Sequence, residues 1–459
     1  MHKSFSLFLS LLFVFGLFIL QDCSRLEQSS LNNERQKGLP WHYVSIEKAE
    51  KELEGFLAEI YPTLKSSPKR VVSERYTLKT ASTKADGDPI IMHVFNFDDN
   101  LGYAIMPGDK RVPSPMCFVE AGHYEEDNQD TDLDEFIMSE LIGMYQAARI
   151  LPDSIKYEVS PLAEDFPLMT KADGFVPVDT VFNDNKYYVY YNWAQNGSPN
   201  GTILTTRWNQ DEPFNESCPT QFDSSCMDYR HCLVGCVPVA VGQIMAYWKL
   251  NPPSGNPYYG LNWNYISPIE DSLSTPNNYT GWAMLKTLLV RLGDSVNLDA
   301  NYGLNATSAY SSYAPRTFSR FGYTHKGTQK TYNADSVRLY LNTGPVLGSG
   351  YDKRSQNWLG IYEYDGGHAW VFDQCYNRKR PVMVYDSNWN IITGQWQVDH
   401  VLHINWGWGG SFNGYYANSR FNIWECMSDP PLMTKTTNSP EGIDYYFQYD
   451  LKMITGIRP

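Results

Sequence analysis

An α+β protein is the fold class this sequence predicts, on three observations. Segments with apolar residues at helical spacing precede a series of short β-rich runs instead of alternating with them. Those runs are bounded by Gly, Asn or Asp. The 459-residue chain is 42% hydrophobic and 15% aromatic, which suits a globular protein; at roughly 100–200 residues per domain it has room for about two to four domains. Lys and Arg total 37 against 51 Asp and Glu, a net charge of -14. Such a surface repels nucleic-acid phosphates, so nucleic acid is excluded as a partner class.

The first element is an export signal. After Lys3 the chain is apolar from Phe5 to Leu20, a charged start and short greasy core too short for a comfortable membrane span. Cys23 follows in Leu20-Gln21-Asp22-Cys23-Ser24, where a lipidated cysteine would stand, although Asp22 replaces the usual small residue. A lipid anchor through Cys23 and an ordinary cleaved signal, residues 1–23, both remain open. The expected location is secreted, or anchored at the bacterial outer surface or periplasm as a lipoprotein. No later segment is long and apolar enough to span.

From Ser45, Ile46, Ala49, Leu53, Phe56, Leu57 and Ile60 recur at helical spacing and Pro62 closes the pattern, which predicts an amphipathic helix. Ile90 to Phe97 and Tyr103 to Met106 are strand-like runs joined by Asp98-Asp99-Asn100-Leu101-Gly102, a hairpin composition. Acidic residues from Glu125 to Glu135 lead into a second helix with Phe136, Ile137, Leu141, Met144 and Tyr145 inward; charge at that position complements the helix dipole, in preference to binding calcium. From Pro152 to about Pro199 there is no sustained period, and the segment reads as a connecting arm. A larger domain follows from about Thr202. Val237 to Lys249 predicts a helix opening just after Gly235-Cys236, with Pro238 in its first turn, and Trp282 to Leu292 a second. β-rich runs then appear at Pro345–Leu347, His368–Asp373, Pro381–Asp386 and Leu402–Trp406.

The chemistry lies in this larger domain. Cys236 stands between a glycine and a helix start, where unpaired amides and the helix dipole favour a thiolate and lower the thiol pKa. A sulfur nucleophile needs an imidazole as proton acceptor and later donor. His368, after Asp365-Gly366-Gly367 and at the start of a strand, is the candidate, with His231 and His403 as rivals. Gln210 is the candidate oxyanion donor. In Ile404-Asn405-Trp406-Gly407-Trp408-Gly409-Gly410, Asn405 can accept from an imidazole N–H and Trp406 can exclude water from that contact; Asp386 competes as the orienter of His368.

Read together, Trp208-Asn209-Gln210 with Pro213-Phe214-Asn215, Gly235-Cys236-Val237-Pro238-Val239-Ala240 leading to Gln243-Ile244-Met245-Ala246-Tyr247-Trp248, Gly367-His368-Ala369-Trp370-Val371, and the Asn405-Trp406-Gly407-Trp408-Gly409 loop resemble the streptopain family of papain-like cysteine peptidases. The blocks occur in that family's order, from about Thr202 to Tyr416. The resemblance implies a papain-like fold, with a helix-rich half bearing the cysteine and a twisted antiparallel sheet bearing the histidine. It further implies that Cys236 is the nucleophile, His368 the general base and acid, Gln210 an oxyanion donor, and Asn405 with Trp406 the support of the imidazole. The N-terminal unit, with His93 to Phe97 and Gly102 to Asp109, is similar to that family's inhibitory propeptide, which would act as an intramolecular inhibitor. The expected organisation is a signal at 1–23, a small α+β propeptide domain at 24–150, an activation linker at 151–200 and a catalytic domain at 201–459. The function implied is that of a secreted cysteine endopeptidase made as a zymogen, acting on protein or peptide substrates with no cofactor and no metal. A catalytically silent surface protein gripping glycans or peptides with its aromatics, and an amidase or acyl transferase using the same dyad, are the competing readings.

Two departures stand out. Gln374 and Cys375 follow Asp373 where such peptidases continue with glycine and an aromatic, and the segment Tyr376 to Val401 before the Trp loop is unusually long. Cys218, Cys226 and Cys232 have neither zinc-knuckle nor iron–sulfur spacing. A disulfide among them is expected of an exported protein, its pairing open.

Overall fold

The structure is a computed structural model describing residues 42–61, 69–80, 89–125, 138, 141–142, 145, 158–161, 175–183, 185–356, 362–417 and 449–459. The signal segment, Cys23 and most of the acidic stretch lie outside the described residues. Two compact units are present, one of Met1–Val44, Glu158–Ala194 and Lys379–Val398, the other of Ser45–Tyr157, Gln195–Arg378 and Asp399–Pro459.

In the second unit, α1 (Ile46–Ile60) starts where Ser45 accepts from the Lys48 amide and buries Ala49, Leu53 and Phe56, the stripe that the spacing predicts. Strands β1 (Val72–Thr80), β2 (Ile90–Phe97), β3 (Tyr103–Pro107) and β4 (Cys117–Val119) form an antiparallel meander. The β2–β3 turn needs Gly102: its φ is +98°, and a Cβ there would meet the Val119 carbonyl oxygen at 1.9 Å. Of the second expected helix, Met138, Leu141, Ile142 and Tyr145 are described; they are helical, with Leu141 and Tyr145 buried.

The other unit contains β5 (Glu158–Pro161), β6 (Pro177–Asn183) and β7 (Lys186–Tyr191). The arm is therefore stranded where an irregular connection was expected. Its aromatic run Tyr187-Tyr188-Val189-Tyr190 pairs with Val382–Tyr385, and β5 pairs with Gln395–Val398. The unusually long segment before the Trp loop thus supplies partner strands to the arm. Val189, Tyr191 and Met383 form its small core, and Trp389 stacks on Tyr187 with ring centroids 4.2 Å apart.

The catalytic-looking part of the larger unit continues with the hairpin β8 (Thr220–Asp223) and β9 (Asp228–His231), then α2 (Cys236–Trp248), α3 (Tyr279–Gly293) and α4 (Ala314–Arg320). Next come β10 (His325–Thr331), α5 (Ala334–Leu341), β11 (Val346–Gln356), β12 (Tyr362–Tyr385), β13 (Ile391–Asn405), β14 (Gly414–Ala417) and β15 (Tyr449–Arg458). The sheet path runs β1-β2-β3-β4-β14-β13-β12-β11-β15-β10. The architecture is thus mixed α and β, a large antiparallel sheet with few helices.

Strand period sorts the core. Along β12, Trp370 and Phe372 point into a cluster with Val94, Ile105, Leu402 and Trp406, whereas Ala369 and Val371 join the helix-side cluster with Val239, Leu289 and Ile454. Two runs predicted as separate strands, His368–Asp373 and Pro381–Asp386, are one strand. The intervening polar residues are buried because they are paired: Arg378 meets Asp399 at 2.8 Å and Asn377 meets His400 at 2.7 Å. The disulfide expected among Cys218, Cys226 and Cys232 is not formed; all three are free thiols. The β8–β9 register, Thr220 opposite His231 and Asp223 opposite Asp228, puts Cys226 in the exposed turn while Cys218 and Cys232 stay buried at the hairpin base.

Candidate active site

Cys236 is the first residue of α2, and Gly235 before it has φ 94° and ψ 144°. A Cβ at Gly235 would lie 2.9 Å from Thr307 Cγ2, so both conformation and space demand glycine. α2 is buried from Val237 to Ala246, which fixes Cys236 at the end of a rigid apolar rod. The half-buried Cys236 thiol faces its own amide, that of Val237 at the helix start, and that of Ala369 on β12. These donors favour thiolate, as the position predicts, but burial outweighs them and pushes the thiol above its ordinary value. The expected depression of the thiol pKa is therefore corrected: the resting sulfur is protonated.

Ala369 directly follows His368, so the backbone that meets the sulfur is the neighbour of the imidazole's own residue on β12. His368 is 8% exposed, and burial lowers its pKa to about 4, against a hydrogen bond from the ring to the Trp406 carbonyl that acts the other way. Nε2 lies 2.9 Å from that oxygen. A carbonyl can only accept, so Nε2 carries the proton and Nδ1 is the basic nitrogen. At rest Cys236 is a thiol and His368 a neutral imidazole.

The imidazole support differs from a direct amide contact. Asn405 donates from Nδ2 to the Thr206 carbonyl at 2.7 Å, while its Oδ1 accepts from the Gly407 amide at 3.1 Å. The indole closest to the ring is Trp408, stacked at 4.3 Å between centroids and 24°, with Trp406 at 6.1 Å. Trp408 was missed as a site residue because two tryptophans of one loop cannot be ranked from sequence; alternation about Gly407 was the only signal. Gln210 is half-buried, and its carbonyl accepts from the Val234 amide at 2.8 Å, two residues before Cys236. The Trp loop closes on the same segment, the Gly409 amide donating to the Trp208 carbonyl at 3.1 Å.

The rivals are occupied elsewhere. His231 Nδ1 is 2.9 Å from the Cys218 carbonyl. The Asp386 carboxylate takes the Asn388 and Asn390 amides of its own turn. His403 is buried 2.6 Å from Asp373 and 3.5 Å from Glu120. Burial disfavours its charge, but the two carboxylates outweigh it and hold its pKa up to about 10. A cation this firmly protonated cannot serve as a base at neutral pH.

Residues 208–416 match the family model of the peptidase C10 family. This region is similar to the peptidase C10 family. The chain is similar to the thiol protease/hemagglutinin PrtT of Porphyromonas gingivalis, 21% identical over 400 residues that cover 82% of this chain and 39% of that protein. It is similar also to streptopain of Streptococcus pyogenes, 23% identical over 367 residues, 72% of this chain and 74% of that protein. The chain thus spans well under half the length of the first of these relatives. The C10 match encloses all five predicted site residues, and it leaves α1 and the β1–β4 meander outside.

Proposed function

We propose that the chain is the precursor of an exported cysteine endopeptidase that cleaves peptide bonds through Cys236 and His368 in a papain-like domain spanning residues 201–459. The observation that carries this reading is the meeting of the Cys236 thiol with the amide of Ala369, the residue after His368, whose Nε2–H is committed to the Trp406 carbonyl. Nδ1 then takes the thiol proton as Sγ attacks the substrate carbonyl, so the charged pair forms only as the reaction proceeds. The Cys236 amide and the Gln210 side chain receive the oxyanion. The tetrahedral intermediate collapses as His368 returns the proton to the leaving amine. A water deprotonated by Nδ1 then hydrolyses the thioester and releases the acid.

The N-terminal segment, residues 24–150, acts in this proposal as the intramolecular inhibitor, following an export signal at 1–23 that either is cleaved or leaves Cys23 lipidated. Support comes from its docking: β4 pairs with β14, Phe56 meets the rings of Tyr376 and Tyr415 edge-on, and Glu120 faces His403. Cleavage within 151–200 would release it. Casein or gelatin hydrolysis under reducing conditions, with the chain followed on a gel, tests the reading. Loss of the N-terminal segment with rising activity, both absent in Cys236→Ala, is expected. No hydrolysis, even after an added protease has cut the arm, would overturn it.

A further inference from the structure

We propose that Gln243, on the helix that carries the nucleophile, is the positioning residue that sets the proton-holding geometry of His368. Seven residues after Cys236, it lies just short of two helical turns on, so it shares the nucleophile's side of α2. It is fully buried. Its Oε1 accepts from the Trp208 amide at 3.3 Å and from Asn405 Nδ2 at 3.2 Å, and its Nε2 donates to Asn405 Oδ1 at 3.0 Å.

The direction of each bond is forced. The Thr206 carbonyl can only accept and the Gly407 amide can only donate, so Asn405 must aim Nδ2 at the first and Oδ1 at the second. A single amide can then pair reciprocally with Asn405, and Gln243 supplies it with Oε1 placed for the Trp208 N–H. Gly407 N–H and the Trp406 carbonyl belong to one peptide plane. One end of that plane is held by Asn405, and the other accepts from His368 Nε2. A continuous chain of hydrogen bonds therefore runs from the nucleophile's helix through Gln243, Asn405 and the 406–407 peptide to the imidazole, and it polarises in one sense. The same amide fixes the segment that leads to Gln210. Gln243 thereby registers nucleophile, base and oxyanion donor against one another, which is where a displacement of about 1 Å costs on the order of 100-fold in rate.

The inference takes the peptidase reading for its kinetic consequence, but its first test does not depend on that reading. The full chain is labelled with nitrogen-15 histidine and His368 is assigned by comparison with His368→Gln. The ring should be the single Nε2-protonated tautomer in the unsubstituted chain and a tautomer mixture in Gln243→Leu. Gln243→Glu separates positioning from folding within one protein. Protonated, its carboxyl can still donate to Asn405 Oδ1; ionised, it presents oxygen to oxygen and the reciprocal pair breaks. The tautomer should therefore be intact at low pH and lost as pH rises through the buried carboxyl's titration, with kcat on a peptide substrate falling ~100-fold over the same range and KM little changed. An Nε2-protonated His368 in folded Gln243→Leu, or a Gln243→Glu chain whose tautomer ignores pH, would overturn the inference. If the tautomer responds as expected while no form of the chain cleaves peptides, the peptidase reading fails and the positioning role stands.

Discussion

Phe56→Ala tests how the N-terminal segment is held. The ring is 1% exposed and meets Phe118, Tyr376 and Tyr415 edge-on at 6.2, 6.5 and 6.2 Å, with the Arg378 guanidinium 5.6 Å from its centroid. Two of those rings and the guanidinium belong to the β12 and β14 region. Truncation removes about 120 Å² of buried apolar surface, about 3 kcal/mol at ~25 cal/mol per Å². Measured over whole core Phe→Ala truncations, transfer and cavity together cost about 3–5 kcal/mol, which is the range taken for Phe56. The undocked population of the segment then rises by roughly a hundredfold to a few thousandfold. Limited proteolysis of the full chain, with Cys236→Ala in the background to prevent self-cleavage, should cut the 42–125 region far faster in Phe56→Ala, and a thermal scan should show an earlier first transition. Phe56→Leu should recover most of the difference. Unchanged cutting and a first transition within about 1 °C of the parent would refute the docking argument.

Other outcomes follow from single contacts. Gly235→Ala forces a side chain onto φ 94° and against Thr307, so activity should fall ~100-fold or more while most of the fold survives; a fully active variant contradicts the helix-entry argument. Trp408→Ala lets water reach the imidazole; because burial is what holds His368 near 4, its titration should move up toward 6.5, and an unmoved value on NMR would exclude Trp408 as its cover. His403 has a raised folded pKa of about 10, so its stabilisation is complete below about pH 6.5 and lost as pH rises through 10. The Tm gap between the parent and His403→Gln should accordingly shrink across that range, and a constant gap would show that His403 is not held as a cation.

The helix-forming stripe of α1, the β2–β3 hairpin and the opening of α2 were legible because each is written in local residues: Ser45 and its apolar spacing, Asp98 to Gly102, and Gly235. Cys236 and His368 stand out as candidates because glycine precedes each of them. The partners of the imidazole were not. Asn405 and Gln243 meet across 162 positions, and no local pattern encodes that contact. The stranded arm was hidden for a similar reason: β7 is stabilised by Val382–Tyr385, far along the chain. Burial of the thiol also depends on elements remote from the helix start, so local chemistry alone gave the wrong direction for its pKa.

The central claim is that Cys236 is the sulfur that attacks. Acid-quenching the processed chain during turnover of a slow peptide ester, then locating the acyl group by mass spectrometry, tests it most directly. The account predicts one acyl group, on the peptide containing Cys236, and none in His368→Ala. Acyl groups on the exposed Cys226, or on no cysteine while hydrolysis proceeds, would contradict it.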